Sequence, residues 1–329
     1  MRKCCFIIPY FGNFPNYFQL FLNSCKFNPD YNWLIFTDNN KSYNYPSNVK
    51  LIKITCKDFI DHIQSFFDFK IIIHTPHKLC DYKPAYGYLF ENYLKEFRFW
   101  GYCDLDLILG NLNNYLTDDL FEVYDKIFCL GHMTIFKNTP ENNRIFLQPY
   151  KGKLLYKIAF TTEETTTFDE EWRDENNINQ LFISKGKKVF TNDYSMNPSI
   201  LYNHFIRTQY VGINKSPKNH GYINESLQKA IYTWDHGHLF RYTIKDKKLK
   251  KEEFIYMHLQ ARKMKVDKQI LNSNLFKIVP DEFLPLEVPN ITLSNFNNIK
   301  KKGNCHHLQR IYWKRLKRKI KKFFRYAKN

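Results

Sequence analysis

The sequence predicts an α/β protein with a mostly parallel central sheet, followed by a basic amphipathic helix. Short apolar segments typical of buried strands alternate with segments of helical spacing, and this alternation indicates βα units. The apolar run FRFWGYC leads directly into the acidic pair Asp104 and Asp106. From residue 300 onward the chain has 13 Lys or Arg and no acidic residue.

Length and charge divide the 329 residues into three parts. The length suffices for one large domain, which we predict at residues 1–287. The polar, Asn-rich segment 288–306 is predicted to be a linker, and residues 307–329 are predicted to form a tail. The net charge is +18 for the whole chain but only +5 for residues 1–299, which have 37 basic and 32 acidic residues.

The first elements are predicted in the order strand, helix, strand, strand, helix. KCCFII is typical of a buried strand, and FPNYFQLFLNSCKFN has apolar positions at helical spacing. NWLIFT and NVKLIKI are the next two predicted strands, and the amphipathic segment DFIDHIQSFFDF is the next predicted helix.

The middle of the chain continues the same alternation. KPAYGYLFENYLKEF is predicted to be helical from Pro84, because proline suits the first turn of a helix, and it leads into the strand FRFWGYC. KIFCL and HMTIF are further predicted strands, and helices are expected near residues 140–149 and 175–184. The pattern weakens between residues 185 and 253, after which EFIYMHLQ is predicted to be the last core strand.

Composition also indicates the compartment. No apolar segment reaches the roughly 18 residues that an ordinary membrane-spanning helix needs. Pro9 and Gly12 interrupt the first apolar run too early for a secretory signal. The 8 cysteines form no CxxC pair and have the sequence context of reduced core residues, so we expect a cytoplasmic protein.

The acidic pair after FRFWGYC is the first candidate site. Ligands of parallel α/β sheets bind outside the carboxyl ends of the strands, and residues i and i+2 of an extended chain point to the same side. Asp104 and Asp106 can therefore face one ion, and oxygen ligands of this kind suit Mg²⁺ or Mn²⁺. The alternative is that the two carboxylates cap a loop or form ordinary surface salt bridges.

A third ligand is suggested by the segment FIYMHLQARKM. His258 lies within an apolar strand, and a neutral imidazole is a common ligand of Mn²⁺. Arg262 and Lys263 follow closely and suit the phosphates of a ligand. The alternative for His258 is a hydrogen-bonded core residue.

Several motifs in a fixed order resemble a known family. They are IIPYFGNFP, CDYKPAYG, WGYCDLDLILGNL, GHMTIFKN, FDEEWRDENNINQLF, WDHGHLF and YMHLQARKM. Together they resemble small bacterial glycosyltransferases encoded with capsule, lipooligosaccharide or O-antigen genes. The resemblance implies a GT-A-like nucleotide-binding fold that uses a divalent cation and a nucleoside-diphosphate sugar, with a UDP-sugar expected as donor.

The resemblance also implies roles for individual residues near the donor. Asp104 would lie near the ribose and the metal, whereas Asp106 and His258 would bind Mn²⁺. The other implied donor contacts lie in four parts of the sequence: Pro9, Tyr10 and Gly12 after the first strand, Asp38 after the second, Lys83, and the pair Arg262 and Lys263.

Further expectations concern the sugar and the stereochemistry. His132 of GHMTIFKN is expected to shape the sugar pocket, with a buried core histidine as the alternative, and Trp234 and His236 of WDHGH are expected near the substrate. DENNINQLF is similar to the DQDxLN stretch of retaining enzymes, since Asp174 and Asn179 match. Asn176 replaces the second aspartate of that stretch, so retention is only slightly favoured.

An inverting enzyme would need a base for the acceptor hydroxyl. Asp235 of WDHGH, Asp174 and Glu175 are the candidates for this base, and the sequence does not rank them.

The segment LQRIYWKRLKRKIKKFFRYAK has an apolar stripe surrounded by basic residues. Such a helix binds anionic membrane surfaces, so we expect the protein to lie on the inner face of the bacterial cytoplasmic membrane, near a lipid-linked glycan acceptor. A chain ending near residue 299 would then lose lipid binding and keep its activity. The alternative is a solvated basic end.

Two other classes of function stay open. A non-catalytic nucleotide-sugar-binding or carbohydrate-binding protein would have the same fold and ligands. A metal-dependent nucleic-acid enzyme would have basic residues around its site, whereas the chain before the tail is nearly neutral. We therefore expect no nucleic-acid partner.

Overall fold

The computed structural model describes residues 2–172, 174–260, 262–303 and 305–326. The described strands are β1 Arg2–Pro9, β2 Tyr31–Thr37, β3 Val49–Lys53, β4 Phe97–Cys103, β5 Leu107–Leu109, β6 Lys126–Leu130, β7 Met133–Lys137, β8 Val189–Phe190, β9 Thr208–Tyr210, β10 Tyr222–Asn224, β11 Ala230–Asp235, β12 His238–Lys245, β13 Lys248–Phe254, β14 Tyr256–His258, β15 Lys265–Val266, β16 Leu275–Val279 and β17 Glu282–Leu284. The described α-helices are α1 Phe18–Lys26, α2 Cys56–Gln64, α3 Tyr86–Leu89, α4 Glu91–Leu94, α5 Asp118–Val123, α6 Leu155–Thr161, α7 Ile178–Ser184 and α8 His307–Tyr326.

A seven-stranded central sheet has the strand order β3-β2-β1-β4-β7-β6-β8. The pairs β3–β2, β2–β1, β1–β4 and β6–β8 are parallel, whereas β4–β7 and β7–β6 are antiparallel. The prediction of a mixed α/β chain with a mostly parallel central sheet is therefore confirmed. The predicted strands KCCFII, NWLIFT, NVKLIKI, FRFWGYC, KIFCL and HMTIF are the six long strands of this sheet.

The central strands β1 and β4 are buried on both faces, as parallel strands covered by helices are. Trp100 of β4 stacks on Phe136 of β7 with ring centroids 4.4 Å apart, and its indole N–H donates a hydrogen bond to Asn143. A Cβ at Gly101 would lie 2.4 Å from the carbonyl oxygen of Thr134, so glycine permits the close approach of the two strands.

A second sheet follows in the chain and was not predicted. It has six strands in the order β13-β12-β11-β16-β17-β15 and is mainly antiparallel. The prediction that EFIYMHLQ is the last core strand is wrong, because β16 and β17 come later and are buried. Strands β12 and β13 expose much of one face, which explains the weak hydrophobic pattern before residue 253.

Two predicted helices differ in type from the structure. Residues Pro76–Ala85 form a 3₁₀ helix that contains Pro84, and the short helices α3 and α4 follow it. The helix expected near residues 140–149 is a 3₁₀ helix at Asn142–Leu147. Pro84 lies inside the first segment instead of beginning it, and a proline lacks the N–H that a regular helix would use.

The C-terminal part of the chain packs on the second sheet before it forms a helix. Phe296 and Ile299, in the segment predicted as a linker, pack with Ile231 of β11 in a small core. The predicted C-terminal helix is present as α8, while residues 327–329 of the predicted tail lie outside the described residues. No described helix combines the length and the apolar character needed to cross a membrane.

Candidate functional site

The candidate site is a cavity at the carboxyl ends of two adjacent strands, which we call the β1–β4 cavity. Residues that follow Pro9 at the end of β1 and Cys103 at the end of β4 line a space of about 1090 Å³. Because β1 and β4 are parallel neighbours, their carboxyl ends lie at one edge of the sheet.

Two carboxylates that line this cavity, those of Asp104 and Asp106, meet the imidazole of His258. One ligand atom from each of Asp104, Asp106 and His258 lies within 4.8 Å of the other two. His258 Nε2 is 3.4 Å from Oδ1 of Asp106 and 3.8 Å from Oδ2 of Asp104. The antiparallel pairing of β14 with β5 explains the meeting, since it places His258 opposite Leu107, the residue after Asp106.

Two polar atoms of this cluster are buried and have no hydrogen-bonding partner among the described residues. They are Oδ1 of Asp106 and Nδ1 of His258. Burial lowers the pKa of His258, but the carboxylates of Asp106 and Asp104 raise it above its ordinary value. An unpaired buried carboxylate oxygen costs free energy, and a cation would offset that cost. Two carboxylates and one imidazole are therefore a donor set that fits Mn²⁺ or Mg²⁺.

Lys83 lies beside the cluster. Its ammonium donates hydrogen bonds to Oδ1 of Asp104 at 3.0 Å and to the carbonyl of Gly131 at 2.8 Å, and it lies 3.4 Å from Oδ2 of Asp169. Burial lowers the pKa of Lys83, but Asp104 and Asp169 outweigh burial and raise this pKa well above its ordinary value. Lys83 is thus a fixed positive charge next to the carboxylate cluster.

Asp169 and Glu170 extend the cluster, and sequence reasoning missed both. A Cβ at Gly131 would lie 3.0 Å from a carboxylate oxygen of each, so the two acids converge on one place. Burial raises the pKa of Asp169 to about 8, against the attraction of Lys83. Burial also raises the pKa of Glu170, whose Oε2 accepts a hydrogen bond from Gly131 N at 3.3 Å. Two adjacent acids after a buried phenylalanine, in FDEEW, were the available signal.

His132 is buried against the metal-binding cluster and does not line the cavity, so its expected role in shaping the sugar pocket stays a prediction. Its ring centroid is 4.4 Å from that of His258, and its Nδ1 is 2.8 Å from the hydroxyl of Tyr256. Burial lowers the pKa of His132 well below its ordinary value, so this imidazole is neutral at neutral pH.

The residues expected to hold a nucleoside lie at the ends of β1 and β2. Pro9 and Tyr10 line the β1–β4 cavity. Gly12 has a φ of 93°, and its N–H donates a hydrogen bond to Oδ1 of Asp38 at 2.7 Å. The Asp38 side chain thereby fixes the loop that follows β1.

Arg262 and Lys263 also line the cavity, but they differ in environment. Lys263 is exposed, whereas Arg262 is buried and donates hydrogen bonds to the carbonyls of Tyr202 at 2.7 Å and Ser199 at 3.1 Å. Arg262 is therefore mainly engaged in holding the neighbouring loop.

Four of the predicted site residues described above do not themselves line the cavity: Gly12, Asp38, His132 and His258. Six further predicted site residues do not line it either: Asp174, Glu175, Asn179, Trp234, Asp235 and His236. Asp174 accepts a hydrogen bond from the backbone N–H of Asn176, and Glu175 forms an exposed ion pair with Lys151.

The remaining four of these residues contribute to structure. Asn179 is buried and donates a hydrogen bond to the carbonyl of Cys129. Trp234 is buried in the second sheet, where its indole N–H donates to the carbonyl of Leu109. Asp235 and His236 pair with each other at 2.7 Å.

Comparison with protein families places the chain. A family model described as "Family of unknown function (DUF6625)" matches residues 6–287, which is most of the chain. The chain belongs to the DUF6625 family. The match contains the whole metal-binding cluster and every predicted site residue named above, and it ends before α8.

Solved structures of LgtC are similar to this DUF6625 protein at low identity. An active-site mutant of LgtC has a TM-score of 0.36 and 11% sequence identity, over 60% of this chain and 76% of that chain. The galactosyltransferase LgtC in complex with donor and acceptor sugar analogues has a TM-score of 0.34 and 13% identity, over 60% of this chain and 77% of that chain. No curated protein matches the sequence.

Proposed function

We propose that this DUF6625 protein is a metal-dependent glycosyltransferase with a GT-A-like fold, which transfers a hexose from a nucleoside-diphosphate sugar to a glycan or glycolipid. The proposal depends chiefly on one observation: Asp104 and Asp106 line a cavity of about 1090 Å³ at the sheet edge where nucleotides bind in α/β proteins, and His258 meets both carboxylates there. The ordered motifs that resemble bacterial glycosyltransferases support the same activity, with a UDP-sugar as the first candidate donor.

The chemistry of the site suits the departure of a nucleoside diphosphate. Asp104, Asp106 and His258 would hold Mn²⁺ or Mg²⁺, and a bound cation would stabilise the negative charge that develops on the departing diphosphate. Lys83 adds a positive charge that is already fixed by Asp104 and Asp169. Preorganised charges of this kind lower a barrier because they need not reorient during the reaction.

The two carboxylates that follow β4 are better suited to metal binding than to glycoside hydrolysis. Hydrolytic carboxylates lie on opposite sides of the bond that breaks, about 5 Å or more apart. Asp104 and Asp106 instead flank a single imidazole, His258, at 3.8 and 3.4 Å.

We further propose that the acceptor is a lipid-linked surface glycan of the capsule, lipooligosaccharide or O-antigen type, reached from the inner face of the cytoplasmic membrane. Helix α8 exposes Tyr312, Trp313 and Ile320, and its residues 307–326 include 9 Lys or Arg and no acid. Each Lys or Arg near an anionic lipid surface contributes about 1 kcal/mol, so this helix suffices for peripheral attachment.

For stereochemistry we propose retention, on the resemblance of DENNINQLF to the corresponding stretch of retaining enzymes. Neither Asp174 nor Asn179 lines the β1–β4 cavity, so the support is that of sequence alone. The anomeric configuration of the product, measured by NMR, tests this part separately.

The activity is tested by measuring UDP release from a set of UDP-sugars with Mn²⁺ and then with EDTA. We expect release with at least one UDP-sugar, faster when a glycan acceptor is present, and loss of release with EDTA. Tight Mn²⁺-dependent UDP binding without release from any UDP-sugar would instead indicate a non-catalytic nucleotide-sugar-binding protein. DNA cleavage with Mn²⁺ would contradict both.

A further inference from the structure

The start of helix α8 forms part of the wall of the β1–β4 cavity. His306 and Arg310 line this cavity together with Arg262 and Lys263, although His306 is the last residue of the predicted linker, Arg310 belongs to the predicted tail, and both lie beyond the region that the family model matches. The first turn of α8 is therefore part of the candidate site, and the rest of the helix extends from it.

Asp281 holds this first turn in place. It lies between β16 and β17 and is 2% exposed. Its Oδ2 accepts hydrogen bonds from the backbone N–H of His306 at 3.2 Å and from the guanidinium of Arg310. The guanidinium of Arg262 lies 3.8 Å from its Oδ1. Two guanidinium groups thus share one carboxylate, which leaves a net positive charge in the cavity wall.

The loop at residues 199–204 provides a second attachment. His307 is fully buried, and its Nε2 donates a hydrogen bond to the carbonyl of Ile200 at 3.0 Å. The N–H of Leu308 donates to Oδ1 of Asn203 at 3.0 Å. Arg262 donates to other carbonyls of the same loop, so one network joins this loop, Asp281 and the start of α8.

We propose that the first turn of α8 binds the diphosphate of the donor through Arg310, and that donor binding is thereby linked to attachment of the same helix to an anionic lipid surface. The proposal rests on the proposed function, since it concerns the donor of that reaction. Its lipid part rests on charge complementarity, because α8 is basic along its length and has no acidic residue.

The physical basis of the linkage is the sharing of one rigid element by two ligands. Asp281 and the carbonyl of Ile200 hold the first turn, and a lipid surface that binds the later turns of α8 restricts the same helix further, so the nucleotide loses less conformational entropy when it contacts Arg310. Because such coupling is reciprocal, the nucleotide must strengthen lipid binding by the same factor.

The test measures the affinity of the full chain for UDP with Mn²⁺ by calorimetry. It compares protein alone, with phosphatidylcholine vesicles, and with vesicles that also contain phosphatidylglycerol. We expect the anionic vesicles alone to tighten UDP binding, by about fivefold or more. Arg310→Gln should weaken UDP binding about tenfold without vesicles and remove most of the tightening, whereas Arg310→Lys should restore part of both.

Arg315→Gln is the matched control, because it removes the same charge from an exposed position of α8 that does not line the cavity. Both glutamine variants should lose vesicle affinity to a similar extent, but Arg315→Gln should bind UDP like the wild type. Equal UDP affinities for the two variants, or a wild-type UDP affinity that anionic vesicles do not change, would overturn the inference and leave the proposed function intact. Absence of UDP binding by the wild-type chain would overturn both.

Discussion

The Nε2 atom of His258 lies 3.4 Å from Oδ1 of Asp106, although the two residues are 152 positions apart in the sequence. The antiparallel pairing of β5 with β14 produces this proximity. The backbone N–H of Leu259 extends the pairing by one hydrogen bond, of 2.9 Å, to the carbonyl of Asp106. The two candidate metal ligands are thus held by backbone hydrogen bonds, which makes their spacing independent of any ion.

The first prediction concerns Asp106→Asn. An amide lacks the charge of the carboxylate, so we expect Mn²⁺ affinity, measured by electron paramagnetic resonance, to fall at least tenfold and UDP release to be lost. The melting temperature should change little at alkaline pH, because Oδ1 of Asp106 accepts no hydrogen bond among the described residues and its attraction for His258 acts only when that imidazole is protonated.

The control for this variant is Asp246→Asn, at the exposed turn between β12 and β13. Asp246 has a φ of 52°, which asparagine also tolerates, so we expect the variant to fold. It loses the same single negative charge as Asp106→Asn. Mn²⁺ binding by Asp106→Asn at the wild-type affinity would remove Asp106 from the metal site.

The second prediction concerns the buried charges around Lys83. In Lys83→Met the side chains of Asp104 and Asp169 lose their shared cation, so we expect the free energy of unfolding to fall by about 3 kcal/mol. At pH 9, where the Asp169 carboxyl is ionised, the same substitution should cost about 1–2 kcal/mol less in the Asp169→Asn background, because one of the two carboxylates is then permanently neutral.

This double-mutant cycle is measured by urea denaturation. Lys57→Met is its control, because Lys57 forms an exposed ion pair with Asp61 on α2 and its loss should leave stability unchanged. Additive effects of the two site substitutions would mean that Lys83 and Asp169 do not interact in solution.

The sequence predicted the central sheet well because its strands are apolar on both faces. KCCFII and FRFWGYC are such runs, and the acidic pair after the second run indicated the sheet edge. The second sheet escaped prediction because β12 buries only Leu239 and Arg241 and β13 buries only Phe254, so these strands have a weak hydrophobic pattern.

The site was predictable only where ligands adjoin recognisable strands. Asp104, Asp106 and His258 follow or end apolar strands, and the structure brings them together. The contact of Asp169 with Lys83 depends on a loop that folds back onto β4, and no local spacing encodes that contact. Glu175 shows that a motif can also mislead. It lies in DENNINQLF, the stretch similar to that of retaining enzymes, but its side chain is exposed and forms an ion pair with Lys151.

The third prediction revises the expectation for the tail. A chain that ends near residue 299 would lose the buried His307 and the contacts of Arg310 with Asp281, so we expect it to melt at a lower temperature and to bind UDP more weakly. A chain that ends after residue 311 retains these contacts. It should keep the wild-type melting temperature and lose binding to anionic vesicles, as measured by co-sedimentation.

The melting temperatures of the two truncated chains distinguish an integrated α8 from a separate tail. If α8 were a separate tail, both truncated chains would melt at the wild-type temperature. The packing of His307 on the loop at residues 199–204 and of His306 on Asp281 predicts instead a difference between them.

The fourth prediction concerns Lys126 of β6, a fully buried lysine that lies apart from the metal-binding cluster. Its ammonium donates hydrogen bonds to the carbonyl of Phe128 at 2.5 Å and to Oδ1 of Asn179. Burial lowers the pKa of Lys126 to about 7. In the unfolded chain a lysine has a pKa of about 10.4, so between these values the unfolded state binds more protons.

The contribution of Lys126 to the free energy of unfolding must therefore rise with pH between about 7 and 10.4, by at most about 1.4 kcal/mol per pH unit. Lys126→Met keeps the length of the side chain and removes its proton. The free energy of unfolding of the wild type minus that of the variant should thus increase by about 2 kcal/mol between pH 7 and 9. The exposed Lys185→Met serves as the control and should give a difference that is flat with pH. A flat difference for Lys126→Met as well would show that Lys126 keeps its proton in the folded protein, held there by Phe128 and Asn179.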